Sequence, residues 1–146
     1  GMAARTTIQS FDWRTLALVQ REAPEIATSY LTSQQQALDT IRAGHREDSP
    51  WTAGVRHRDH GSVPRMVRAA GGKIWSPNSL DLTESIVKDA KTLGLAVLPW
   101  TVNDRADMER LIDWGVDGLI TDYPDRLREV MAARGLPLPR PTPVTP

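Results

Sequence analysis

The sequence repeats one unit: a short β-branched or apolar run, a polar turn, and then a helical pattern that ends at a glycine. Such alternation, at a spacing of about 20–25 residues, is typical of parallel βα units, because parallel strands need a crossover between them. The apolar runs are continuous, which suits strands covered on both faces. The predicted strands are Thr7–Phe11, Ile26–Leu31, Lys73–Ser76, Ala96–Thr101 and Gly118–Thr121.

Caps and apolar stripes predict three helices in the second half of the chain. Each begins at a Thr, Asn or Asp and ends at a glycine that suits the left-handed position after a helix. They run from Thr83 to Gly94, from Asn103 or Asp104 to Gly115, and from Asp122, with Pro124 in the first turn, to Gly135.

The middle of the chain is less regular. Ser33 followed by Gln36 has the pattern of a capping box, which predicts a helix over 33–41. A polar insertion follows over 44–62 and holds all three histidines, before a second short helix predicted over 62–70. Insertions of this kind lie on loops, and the functional loops of parallel α/β proteins lie at the C-terminal ends of the strands.

Composition excludes several classes of protein. The 18 Lys and Arg residues balance 18 Asp and Glu residues, so no overall positive field favours nucleic acid. The absence of cysteine excludes disulfides and thiolate zinc sites. No apolar run approaches the roughly 18 residues of a membrane span, and no signal segment opens the chain. We therefore expect a cytoplasmic protein with a small-molecule ligand.

Five of the eleven prolines lie in the last ten residues. This density favours an extended conformation over a helix or a central strand. The sequence thus predicts one domain over residues 1–135 and a Pro-rich tail over 136–146.

Five parallel strands leave two architectures open, an open doubly wound sheet or part of a closed barrel of eight strands. The G-x-G-x-x-G fingerprint of nucleotide-binding sheets is absent after the first strand.

Polar and aromatic residues follow the predicted strands, where an α/β protein places its site. The candidates are Gln9, Ser10, Phe11, Trp100 and Asn103. Asn103 could equally serve as a helix cap, and the two aromatic residues could equally belong to the core.

Two motifs in order, residues 98–104 (LPWTVND) and 115–125 (GVDGLITDYPD), resemble the C-terminal signature of the glycerophosphodiester phosphodiesterase family. Residues 9–12 (QSFD) resemble a strand end in the middle of that family's barrel. Residues 49–54 (SPWTAG) and 75–78 (WSPN) resemble bacterial members.

The resemblance implies an α/β fold of parallel βα units, the C-terminal five-eighths of a TIM-type (β/α)₈ barrel. It implies a metal-dependent phosphoric diester hydrolase that converts glycerophosphodiesters to glycerol 3-phosphate and an alcohol with Ca²⁺ or Mg²⁺. The cation would polarise the phosphoryl oxygens, while a histidine pair would move protons. An antiparallel sheet would contradict this fold.

The family's histidines and its Glu and Asp metal ligands come from its first three strands, whereas this sequence resembles strands four to eight. No catalytic residue and no metal ligand is therefore assigned here. The resemblance implies that Phe11 and Trp100 form apolar walls around the glycerol, with Gln9, Ser10 and Asn103 as polar neighbours. We expect the chain to be inactive alone. The alternative is a non-enzymatic truncated barrel that serves as a binding or assembly module.

A set of five barrel strands has two open edges, which are aggregation hazards. We therefore expect a homo-oligomer or a complex with an N-terminal half. The loop histidines His45, His57 and His60 leave two alternatives, a transition-metal site or a solvated loop. Residues 42–73 are basic, which could attract a phosphodiester anion or be surface charge on an insertion.

Overall fold

The computed structural model describes residues 1–140, so the last six residues of the predicted tail lie outside the described part. The strands are β1 (Thr7–Ser10), β2 (Ala27–Thr32), β3 (Gln34–Gln35), β4 (Leu38–Asp39), β5 (Ile74–Pro77) and β6 (Ala96–Val97). The α-helices are α1 (Trp13–Glu22), α2 (His57–His60), α3 (Val63–Ala69), α4 (Glu84–Thr92), α5 (Arg105–Asp113) and α6 (Pro124–Ala133). Short 3₁₀ turns cover Ala3–Arg5 and Ser79–Asp81.

The main sheet is parallel throughout, with the strand order β1-β2-β5-β6. Each strand of this sheet therefore lies beside the preceding strand of the same sheet, and the β3–β4 pair is inserted between β2 and β5. In a doubly wound sheet, the order of the strands along the chain would instead reverse at a switch point. The sequential order is that of a barrel wall, and it confirms the predicted α/β fold of parallel βα units.

The last predicted strand continues this wall without forming a regular strand. The Ile120 amide donates to the Pro99 carbonyl at 2.9 Å, and the Ile120 carbonyl accepts from the Val102 amide at 2.9 Å. The strand predicted over 96–101 is regular only in its first two residues. Beyond Val97 the chain still pairs with β5, since the Leu98 and Trp100 amides donate to the Trp75 and Pro77 carbonyls at 2.9 Å and 3.0 Å. Pro99 has no N–H to donate on the other side, towards segment 118–121, which interrupts the ladder there.

The helices cover one face of the sheet. The Tyr30 ring packs edge-on against Trp13 with ring centroids 5.0 Å apart, and its hydroxyl donates to the Ala70 carbonyl at 2.8 Å. The Trp75 indole on the neighbouring strand donates to the Thr32 hydroxyl at 2.9 Å. These contacts place the main core between the sheet and the helices.

The opposite face of the sheet carries the alternate residues of each strand, because side chains alternate along a strand. We call it the barrel-side face. Ser29 and Ser76 hydrogen-bond each other there at 2.8 Å and are buried. Towards the starts of the first two strands, Thr7, Gln9 and Ala27 are exposed. This face is thus covered only in part by the described residues.

The predicted helix ends agree closely with the structure. The Thr83 hydroxyl accepts from the amide three residues on and caps α4. Gly94 and Gly115 follow α4 and α5 with φ of 74° and 84°, the left-handed conformation that favours glycine. The last helix begins at Pro124, with Tyr123 rather than Asp122 at its N-cap.

The helix predicted over 33–41 is wrong, because this segment forms the antiparallel β3–β4 hairpin. The Thr40 amide donates to the Ser33 carbonyl at 2.8 Å, and the Ser33 amide donates to the Thr40 hydroxyl at 3.0 Å. The Gln34 amide donates to the Asp81 carboxylate at 2.8 Å. These bonds satisfy the backbone outside a helix. The hairpin is an insertion after β2 and leaves the main sheet parallel.

Candidate functional site

The two aromatic candidates meet at the C-terminal ends of the strands. The rings of Phe11 and Trp100 pack edge to face, with centroids 5.6 Å apart and an interplanar angle of 87°. The Trp100 indole N–H donates to the Ser76 carbonyl at 2.8 Å, which fixes the ring relative to β5. Both side chains are partly exposed. We call this pair the aromatic corner.

The polar candidates on β1 lie beside this corner. Gln9 is exposed on the barrel-side face. The Ser10 hydroxyl accepts from the Asp12 amide at 3.0 Å, so it shapes the turn into α1. The Asp12 carboxylate caps α1 and pairs with Arg14 at 2.7 Å. Hydrogen bonding to the Arg14 guanidinium lowers the pKa of Asp12 below its ordinary value, which leaves an ionised and paired carboxylate.

Asn103 lies at the same end of the sheet, but its amide is engaged with the protein. Its Nδ2 donates to Asp122 at 2.9 Å, and its Oδ1 accepts from the Thr121 hydroxyl at 3.1 Å and the Asp122 amide at 3.0 Å. The residue at the N-cap of α5 is Asp104. Asn103 therefore joins the two last strand ends, and its contact with substrate stays a prediction.

Sequence reasoning missed Arg126, which completes this network. Its guanidinium donates to the Asn103 carbonyl and lies 4.4 Å from the centroid of the Tyr123 ring. The signal was the i, i+3 spacing of Tyr123 and Arg126 at the start of a predicted helix, which puts them on one face.

The predicted polar insertion is irregular apart from the single turn of α2. His45 lies 3.5 Å from Asp39, and His57 and His60 lie on α2. A cavity of about 120 Å³ lies between the loop segments 41–49 and 56–58.

The arginines of this loop are largely paired. Arg56 contacts Asp59 at 2.7 Å, and Arg58 contacts Asp48 at 2.7 Å. Paired charges have a weak field beyond their own contact. This pairing favours surface charge over a field that attracts anions.

Metal ligands do not converge in the part of the chain that the structure describes. Among residues 1–140, no three His, Asp or Glu side chains come together to hold a metal ion. These residues therefore do not fit the divalent cation that the resemblance implies. Among the same residues, no helix has the length and apolar content to cross a membrane.

The chain is similar in sequence to proteins of a known family. The family model described as the glycerophosphoryl diester phosphodiesterase family matches residues 1–126. The glycerophosphodiester phosphodiesterase of Bacillus subtilis (strain 168) is 30% identical over 123 residues, which are 84% of this chain.

Solved structures show the same arrangement of strands and helices. A protein from Silicibacter pomeroyi DSS-3 that carries the same family name is 38% identical, with a TM-score of 0.74 over 92% of this chain. A glycerophosphodiester phosphodiesterase from Parabacteroides distasonis ATCC 8503 is 25% identical, with a TM-score of 0.66.

The chain spans less than half of these relatives. It covers 35% of the Bacillus subtilis protein, 40% of the Silicibacter pomeroyi chain and 46% of the Parabacteroides distasonis chain.

Proposed function

The chain belongs to the glycerophosphoryl diester phosphodiesterase family, and from this premise we propose that it forms the glycerol-binding side of a phosphodiesterase active site. The reaction is hydrolysis of a glycerophosphodiester to glycerol 3-phosphate and an alcohol. The aromatic corner carries this proposal. Phe11 and Trp100 present a fixed, partly exposed apolar surface at the strand ends, and such a surface suits the carbon atoms of glycerol.

Hydrolysis makes further demands on the site. Water adds to phosphorus, the bond from phosphorus to the alcohol oxygen breaks, and that oxygen takes a proton. The reaction needs positive charge beside the phosphoryl oxygens and a group that moves protons. The carboxylates near the aromatic corner are engaged, Asp12 with Arg14 and Asp122 with Asn103. We therefore propose that a further part of the barrel supplies these groups, with a divalent cation, and that this chain alone is inactive.

The sheet also supports a partner for this chain. Segment 118–121 continues the sheet beyond β6. Within residues 1–140, no strand pairs with the outer edge of β1 or of this segment, and the barrel-side face is only partly covered. Open parallel edges pair readily with other strands. We propose that the edges are covered by a segment that supplies further barrel strands or, in its absence, by a second copy.

This arrangement predicts the mass in solution. We expect the purified chain to be larger than its 16.2 kDa monomer mass, because association covers the open edges and the barrel-side face. Light scattering coupled to size exclusion measures the mass directly. A 16 kDa monomer that unfolds in one cooperative thermal transition would contradict this prediction.

The aromatic corner is tested by ligand binding. We expect Phe11→Ala to weaken binding of sn-glycerol 3-phosphate roughly tenfold, because about 1.4 kcal/mol of apolar contact with the glycerol carbons is lost. Chemical-shift titration of the ¹⁵N-labelled chain measures the dissociation constant. Leu18→Ala is the matched control, since Leu18 is an exposed apolar residue on α1. Equal affinities of the parent chain and both variants for sn-glycerol 3-phosphate would contradict the proposal.

A further inference from the structure

Asn78 directly follows β5 at the C-terminal end of the sheet, as the last residue of the WSPN motif over 75–78. It forms an isolated parallel bridge with Trp100. The amide of the next residue, Ser79, donates to the Trp100 carbonyl at 2.8 Å. Because bridged strands lie about 4.8 Å apart, Asn78 is a direct neighbour of the aromatic corner.

Strand alternation places the Asn78 side chain on the barrel-side face. Residues two apart along a strand share a face, and Asn78 is two residues beyond Ser76, which lies on that face. The indole of its bridge partner, Trp100, donates to the Ser76 carbonyl. Asn78 is itself partly exposed. Its side chain therefore lies on the face that carries the aromatic corner.

One end of this side chain is bonded to the protein and the other is not. The Asn78 Oδ1 accepts from the Leu80 amide at 3.0 Å, which caps the 3₁₀ turn over Ser79–Asp81. Within residues 1–140, Nδ2 makes no hydrogen bond, and no buried side-chain nitrogen or oxygen lacks a partner. Nδ2 is therefore accessible to solvent. Asn78 thus presents unused N–H donors on a side chain that is already fixed.

Two polar candidates from the sequence are less suited to this position. Both ends of the Asn103 side-chain amide are bonded to the protein. Gln9 pairs with Ser29, which pairs in turn with Ile74, four residues before Asn78. At about 3.3 Å per residue, Gln9 lies about 13 Å nearer the starts of the strands than Asn78 does. Asn78 is thus the better placed donor beside Trp100.

Glycerol has hydroxyl groups as well as carbon atoms, so a site for it needs a polar group beside an apolar surface. Given the proposed function, in which Phe11 and Trp100 contact the carbon atoms, we propose that Asn78 is a further substrate-binding residue. Its Nδ2 donates a hydrogen bond to a glycerol hydroxyl. Because the Leu80 amide already holds the side chain, little conformational freedom is lost on binding. This hydrogen bond sets the orientation of glycerol on the aromatic corner.

The experiment compares two ligands that differ only in their hydroxyl groups. The ligand sn-glycerol 3-phosphate has two of them, and propyl phosphate has none. Asn78→Ser is the test variant, because serine caps as well as asparagine does but lacks the amide N–H groups. Chemical-shift titration of the ¹⁵N-labelled chain measures both dissociation constants. We expect Asn78→Ser to weaken glycerol 3-phosphate binding roughly three- to tenfold, as for one hydrogen bond, and to leave propyl phosphate binding unchanged.

Phe11→Ala is the matched control, since loss of contact with the carbon atoms should weaken binding of both ligands. Equal losses for both ligands in Asn78→Ser would mean that Asn78 acts on the phosphate or only on the fold, and would overturn its proposed role. Unchanged binding in Asn78→Ser, together with a loss in Phe11→Ala, would overturn the role of Asn78 alone. Absence of binding by the parent chain, or no loss in Phe11→Ala, would overturn the proposed function, and the role of Asn78 with it.

Discussion

Replacing Trp75 by alanine is expected to lower the free energy of unfolding by about 3–5 kcal/mol, the usual range for loss of a buried tryptophan. Trp75 is 1% exposed and lies on β5, the strand between β2 and β6. Its indole N–H donates to the Thr32 hydroxyl at 2.9 Å. The substitution leaves a cavity and an unpaired buried hydroxyl together. Because domains of this size are stable by about 5–15 kcal/mol, this loss is a large fraction of the free energy of unfolding.

Urea denaturation followed by circular dichroism measures the effect. Trp75→Phe keeps most of the ring and loses the hydrogen bond, so we expect an intermediate loss of stability. Leu80→Ala is the control, since Leu80 is 74% exposed and should change stability by less than about 0.5 kcal/mol. A loss below about 1 kcal/mol for Trp75→Ala would show that the core is not centred on β5.

Several strands could be predicted from local composition and from their place in the βα repeat. The strand predicted over Lys73–Ser76 is observed at Ile74–Pro77, and the one predicted over Thr7–Phe11 is observed at Thr7–Ser10, where Thr7 and Gln9 are exposed. Helix ends could also be predicted where an apolar stripe lies between an N-cap residue and a glycine, as between Thr83 and Gly94. These signals are local, so they are present in the sequence itself.

The hairpin after β2 could not be predicted in this way. Ser33 and Gln36 have the spacing of a capping box, but the Gln34 amide and the Gln35 side chain bond to Asp81. That partner lies 46–47 residues away along the chain. A tertiary contact of this kind overrides a local helical signal.

The candidate site also contains residues that could be predicted from the sequence and one that could not. Phe11 and Trp100 were candidates because functional residues follow parallel strands, and the structure places their rings in contact. Arg126 was not predicted as a site residue. Its place in the site depends on a tertiary contact, the hydrogen bond from its guanidinium to the Asn103 carbonyl. The i, i+3 spacing with Tyr123 indicates a shared helix face, but it does not indicate this partner.

The largest expected effect is on catalysis. We expect the isolated chain, supplied with a glycerophosphodiester and Ca²⁺ or Mg²⁺, to release glycerol 3-phosphate no faster than the buffer does. We expect activity when the chain is joined to the remainder of the Silicibacter pomeroyi relative, of which it covers 40%. General acid–base catalysis alone contributes about 10²–10⁴-fold, so the joined protein should exceed the isolated chain by at least about 100-fold.

The most direct test of this account is the rate of glycerol 3-phosphate release by the two proteins, measured side by side with the same diester and cation. The joined protein carrying Phe11→Ala is the matched control, and it should lose activity through a raised KM. The account predicts background release by the isolated chain and metal-dependent turnover by the joined protein. Metal-dependent turnover by the isolated chain at a rate comparable with the joined protein would contradict it.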